Sequence, residues 1–151
     1  MTINTNHSSV LVPVDSRPML WQNWMALRNG DRSLVEEILA PTVLAHLPVP
    51  GGSPEQVQGR QALVAWVSGR HAGCPDARLA VEVGPIIGPD LIAGRWKLTR
   101  DGDDPDSLCP HRIVVACSGV DILRVDGDRI VEYWSHDDSV RLDRCLTYSA
   151  A

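Results

Sequence analysis

The chain has 151 residues, 44% of them hydrophobic, with a net charge of -5 and a pI near 5.4. That is one domain's worth of chain with enough apolar content for a core, and the interspersed charges exclude a basic nucleic-acid-binding face. No window approaches the ~20 apolar residues of a membrane helix, and no basic segment followed by a long apolar run opens the chain. The expectation is therefore a cytoplasmic protein without membrane or nucleic-acid partners, acting on an apolar, neutral or cationic small molecule.

Residues 1–16 are polar and then Val/Pro-rich, and are expected to form a loose segment ahead of a single domain over 17–151. In "RPMLWQNWMALRNGD", Leu20, Trp21, Trp24, Met25 and Leu27 recur at helical spacing, and Asn29-Gly30 stops the helix. "DRSLVEEILAP" predicts a second helix, capped by Asp31 or Ser33 and ended by Pro41. "TVLAHLPVP" predicts a short strand. "GRQALVAWVSGRHAG" predicts a third helix with Leu63, Trp66 and Val67 on one stripe. Four strands follow: "ARLAVEVG", "DLIAGRWKLTR", "HRIVVACSGVDILRV" and "RIVEYWS", with a polar loop at 101–110 between the middle two. A brief helix, "DSVRLDRCL", is expected at the C-terminal end. Helices first and an antiparallel sheet afterwards is the α+β pattern, with the helices on one face of the sheet.

Cys74, Cys109, Cys117 and Cys145 form no CxxC pair and no zinc spacing, so they read as free thiols, and no metal site is expected. "DGDDPD" lacks the twelve-residue calcium-loop pattern and reads as a solvated loop.

The last hairpin, "RVDGDRIVEYWSHDD", ends in a hydroxyl, an imidazole and two carboxylates. A two-residue Asp126-Gly127 turn pairs Asp121 with Glu132, whereas a three-residue turn with a bulge pairs Asp121 with Ser135. Side chains alternate, so the two registers place Ser135 on opposite faces relative to Asp121.

The element order, two small helices, a strand, a third helix and then a curved antiparallel sheet, resembles the nuclear-transport-factor-2-like cone fold. "SGVDILRVDGDRIVEYWSHDD" resembles the SnoaL-like polyketide cyclase pattern of that superfamily. "LAHLPVP" followed by "GRQALVAW" is similar to limonene-epoxide hydrolases. The resemblance spans roughly residues 18–147. It implies a pocket between sheet and helices and favours the bulged hairpin register. It also implies pairing of two copies through the outer face of the sheet, to which strands such as "RIVVACSGV" contribute apolar residues.

Carried over residue by residue, the resemblance puts Ser135 where the cyclases keep a general acid/base Asp, and Asp121 where they keep a pocket His. Arg95 stands at the epoxide hydrolases' Arg, but Lys97 replaces the Asp two residues on. His46 stands at their water-holding Asn and Leu44 at their Tyr. Asp121 is then the strand carboxylate left to serve as general base, with His46, Tyr133, Arg95 or Lys97 as oxyanion donor. Trp24, Trp66, Leu44, Leu123 and Asp138 are expected to line or rim the pocket. Neither Asp121 nor Ser135 is needed to fill the core, so Asp121→Asn is expected to remain folded.

The implied function is that of a cofactor-independent cyclase or isomerase of secondary metabolism, removing a proton next to a carbonyl of a hydrophobic polyketide-like intermediate. An epoxide hydrolase or epoxide-opening cyclase, using His46 and Asp121 on a water or hydroxyl nucleophile with Arg95 orienting, is the first alternative. A non-catalytic small-molecule-binding module is the second.

Overall fold

A computed structural model of the chain describes residues 15–49, 52–102 and 112–138. Of the expected loose segment 1–16, residues 1–14 lie outside the described residues; of the polar loop expected at 101–110, residues 101 and 102 belong to a strand and 103–110 lie outside, as do the helix after 138, Cys109 and Cys145.

Helix α1 spans Arg17–Arg28, with a proline in its first turn. It ends at Asn29, and Gly30 supplies the left-handed conformation (φ 109°) that turns the chain away. The Asn29 side chain both donates to the Leu79 carbonyl (3.0 Å) and accepts from the Leu79 amide (2.8 Å), so it fixes the end of α1 to the sheet.

The predicted second helix is shorter than its pattern suggests. Asp31 caps a 3-10 turn, Arg32–Leu34, through the Ser33 amide, and α2 spans only Val35–Ile38. Strand β1, Leu39–Leu47, begins at once, so Pro41 sits within a strand rather than ending a helix. Pairing with the neighbouring strand is interrupted between Leu39 and Leu44, which is where a residue without an amide donor is tolerated. Arg60 and Arg129 both donate to the carbonyls of Glu36 and Leu39, and so satisfy the exposed end of this short helix.

Strand β2, Glu55–Gln58, was not foreseen from its polar sequence. Helix α3, Arg60–Gly73, follows it. The four expected strands are all present as β3 (Arg78–Ile87), β4 (Leu91–Gly102), β5 (Arg112–Asp126) and β6 (Arg129–Asp137). One six-stranded sheet results, in the order β2-β1-β6-β5-β4-β3. The β1–β6 pair is parallel and the others are antiparallel. The fold is the expected α+β cone, a curved, unclosed sheet with helices on its concave face.

The last hairpin has the Asp121↔Ser135 register, but reaches it by another route. The loop is the two residues Gly127–Asp128, closed by Asp126↔Arg129, with Gly127 at φ 61°. The register shifts between Val125↔Ile130 and Arg124↔Glu132, which makes Val131 the bulged residue. From there inward, Tyr133, Ser135 and Asp137 alternate onto the concave side together with Cys117, Gly119, Asp121 and Leu123.

Two strand glycines make room for tryptophans. A Cβ on Gly94 would lie 2.4 Å from the Trp21 ring, and one on Gly119 would lie 2.3 Å from the Trp96 ring and 2.6 Å from the His136 carbonyl. Both indoles therefore press against strand backbone. Gly119→Ala is expected to cost about 1–3 kcal/mol through overpacking, read as a lower denaturant midpoint at unchanged slope. Wild-type stability in that variant would mean that the Trp96 ring is not seated there.

Candidate active site

The concave face holds one densely hydrogen-bonded polar centre. Asp121 is fully buried (0% exposed), and its carboxylate accepts five hydrogen bonds. Trp96 Nε1 (2.8 Å), Tyr133 OH (3.0 Å) and Ser135 Oγ (3.1 Å) donate to Oδ1. Trp24 Nε1 (2.9 Å) and Arg28 Nη1 (2.5 Å) donate to Oδ2. Arg28 also donates to the Tyr133 hydroxyl at 2.6 Å. Trp24 and Arg28 come from α1, Trp96 from β4, and Tyr133 and Ser135 from β6, so the cluster joins three elements around β5.

The electrostatics follow from burial and from the Arg28–Asp121 ion pair. Burial pulls the Arg28 pKa down, but Asp121 beside it and the adjoining Tyr133 outweigh this and leave it above its usual range. Arg28 is thus a permanent cation in a low-dielectric setting. Burial raises the Tyr133 phenol well above its usual range; Arg28 opposes the shift and Asp121 adds to it. Tyr133 therefore stays a neutral donor. Arg28 uses Nη1 for Asp121 and Tyr133, while its Nε and Nη2 hydrogens have no protein acceptor among the described residues. Its guanidinium carbon lies 5.9, 5.3 and 5.2 Å from the ring centres of Trp24, Trp66 and Trp96.

A second ion pair stands further along the same face. Arg70 Nη2 on α3 donates to Asp137 Oδ2 at 2.5 Å, and its guanidinium also faces Trp66, at 5.3 Å. Trp66 thus faces two cations. Cys117 beside this pair is buried; burial first, then Asp137, pushes its thiol up to about 11, so it stays protonated. At the end of β6, Asp138 accepts from the Ser118 amide through Oδ1 (2.8 Å) and fixes β6 to β5.

Of the residues proposed from the sequence, Asp121, Tyr133 and Ser135 come together, Trp24 and Trp66 adjoin them, and Leu123 is buried on the same face. Five others do not join them. Val43, Ala45 and Leu47 point into the core, so the intervening Leu44 and His46 face outward. His46 stacks on Trp134 (5.2 Å between ring centres) and hydrogen-bonds Glu132 (2.8 Å) on that outer side. On β4, Ile92, Gly94 and Trp96 face inward, which places Arg95 and Lys97 outward; Arg95 pairs with Glu82 at 2.6 Å. The His46–Asp121–Arg95 trio required for the epoxide-hydrolase arrangement is therefore split across the two sides of the sheet. Asp138 sits at the strand end and exposed, where it serves backbone pairing.

Arg28 was missed, although it stands four residues after Trp24 and seven after Trp21, on the same helical stripe. Asp137 was likewise missed as an inward residue, although it lies two after Ser135.

A curved, unclosed sheet enclosing a buried carboxylate under covering helices defines a nuclear-transport-factor-2-like cone protein. The SnoaL-like domain family matches residues 22–133, and the chain belongs to that family. Among solved structures it is similar to IdmH from Streptomyces antibioticus, provisionally described as a polyketide cyclase. The identity is 22%, over 88% of this chain and 99% of IdmH, with a TM-score of 0.68. It is also similar to a protein of Agrobacterium tumefaciens, provisionally described as an isomerase of the SnoaL-like family (19% identity, 80% of this chain and 96% of that one, TM-score 0.63). A third is a SnoaL-like protein of Jannaschia, again provisionally a polyketide cyclase (16%, 87% and 92%, 0.67). No curated protein matches the chain. Among the described residues no helix is long and apolar enough to cross a membrane.

Proposed function

We propose that this chain is a cytoplasmic, cofactor-independent cyclase or isomerase that enolises a hydrophobic polyketide-like carbonyl compound on its concave face. The observation that carries this is the buried Arg28–Asp121 pair, in which the arginine keeps donors to spare inside an indole cage. The carbonyl oxygen of the ligand takes Arg28 Nε–H and Nη2–H. Ser135, 9% exposed and holding the longest of the five bonds, turns away and frees one lone pair on Asp121 Oδ1. Asp121 then removes the proton next to the carbonyl. The C–H electron pair moves into the new carbon–carbon double bond, and the charge on oxygen is held by Arg28. The enolate carbon attacks a second carbonyl carbon, whose π pair moves to its oxygen and takes the proton back from the Asp121 carboxyl group, or the enolate is reprotonated by that group at another carbon. Trp24, Trp66 and Trp96 supply flat apolar walls.

The second reading, a binding module, is favoured by the saturation of Asp121, since five donors leave a ligand proton no vacant lone pair at rest. Solvent-deuterium exchange separates the two. A hydrophobic aryl 1,3-diketone incubated with the protein in D₂O is expected to exchange its slower α-protons at a saturable, protein-dependent rate. Saturable binding without any acceleration would leave the module and sink the enzyme.

We also propose a homodimer through the outer sheet face. Val83, Ile86 and Leu91 are exposed there, beside the half-buried Ile122 and Trp134. Light scattering at micromolar concentration should give twice the chain mass, and Ile86→Asp should reduce it to one. A monomeric wild type would contradict the pairing.

A further inference from the structure

The neighbouring flank of α3 carries a cavity that the chemistry at Asp121 does not use. Val64, Val67, Ser68, His71 and Ala72 form one stripe of that helix, facing Leu27, Gly30 and Arg32 at the turn after α1. Between them lies a cleft of about 260 Å³. Its floor is apolar, with Leu27 and Val67 both part of the core. Its polar groups are Arg32, His71 and Ser68, and none of these side chains has a hydrogen-bond or ion-pair partner among the described residues. Gly30 keeps one wall open: at φ 109° it carries no side chain, and a Cβ there would lie 3.3 Å from His71 Nε2.

The combination sets the ligand chemistry. An arginine with no carboxylate partner among the described residues, in a chain of net charge -5, is complementary to an anion. An imidazole and a hydroxyl beside it supply further donors. The apolar floor beside them is complementary to a hydrocarbon tail on that anion. The volume holds on the order of nine water-sized groups at ~30 Å³ each. We propose that this cleft binds a short-chain aliphatic carboxylate, with the carboxylate on Arg32 and His71 and the chain against Leu27, Val64 and Val67. The site stands apart from the proposed enolisation and does not depend on it.

Hexanoate is the probe, titrated into the isotope-labelled full chain and followed by NMR. For a ligand this small the dissociation constant is expected to be on the order of 1 mM. Saturable shifts should appear on the His71 ring and on the methyls of Leu27, Val64 and Val67. Arg32→Gln should weaken binding at least roughly fivefold, and hexanol, which keeps the tail but not the charge, should bind more weakly by a similar factor. Inorganic phosphate, which keeps the charge but not the tail, should give no saturable shifts on the methyls. Val64→Phe, a substitution at a half-buried helix position, should fill the cleft and abolish the shifts while the folded spectrum persists. The proposal is overturned if hexanoate shifts map to Tyr133 and Trp66 instead, if Arg32→Gln binds as tightly as wild type, or if hexanol matches hexanoate.

Discussion

Asp121→Asn is expected to lower the stability of the chain by about 3–5 kcal/mol, a fall in melting temperature of roughly 6 to 20 °C for a domain of this size. The side chain hardly changes shape, so the effect is electrostatic. Arg28 is 7% exposed and has Asp121 as its salt-bridge partner; removing that charge strands a buried cation. The amide also supplies one acceptor oxygen where the carboxylate supplied two, so some of the five donors lose their partner. The sequence predicts that this variant remains folded because Asp121 fills little volume; the ion pair adds a stability cost to that expectation, since Asp121 neutralises the interior. Arg28→Gln/Asp121→Asn should be less destabilised than Asp121→Asn alone, because no uncompensated charge remains. A double variant at least as unstable as the single one would show that the ion pair is not what Asp121 contributes.

Arg28→Lys is expected to reduce proton exchange of the diketone about 100-fold while the protein stays folded. Lysine keeps a positive charge facing Asp121, so the carboxylate is still neutralised. It cannot also present the arginine's remaining N–H pair to a ligand oxygen, because an ammonium is a single point of donation. The loss should fall mainly on turnover, with diketone affinity reduced less, since the oxygen carries full charge only after proton removal. Equal losses in affinity and exchange would make Arg28 a ligand anchor rather than an oxyanion donor. Ser135→Ala should change exchange far less than either variant, because its hydroxyl is asked only to move aside.

Much of the fold was legible. The Asn29-Gly30 stop, the four long strands and the Asp126-Gly127 turn region all carry local signals that tertiary packing did not override. β2 was not legible, because "EQVQ" lies mostly exposed at the sheet edge and shows no apolar alternation. α2 was over-read, because Leu39 fits a helical stripe and a buried strand start equally well. Half of the site was legible, and the missed half has two causes. Side-chain direction on a strand depends on register, and Leu44 is as apolar as Val43 or Ala45, so the sequence could not say which set faced inward. His46, Arg95 and Lys97 were thereby assigned to the wrong side. Arg28 stayed hidden because a charged residue at the end of an apolar helix ordinarily reads as a solvated terminus. Its partner is remote in sequence, on β5.

The central claim is that Asp121 is the base, and the most direct test is its exchange rate in Asp121→Asn. The measurement is made at a temperature where near-UV circular dichroism shows the variant folded, with diketone binding measured in the same sample. Exchange should fall by roughly 10²- to 10⁴-fold while binding persists. If the single variant does not fold, Arg28→Gln/Asp121→Asn is compared with Arg28→Gln, so that the two proteins differ only at the carboxylate. Exchange at the wild-type rate in a folded, ligand-binding Asp121→Asn protein would contradict the account and leave Asp121 as the structural anion of the core.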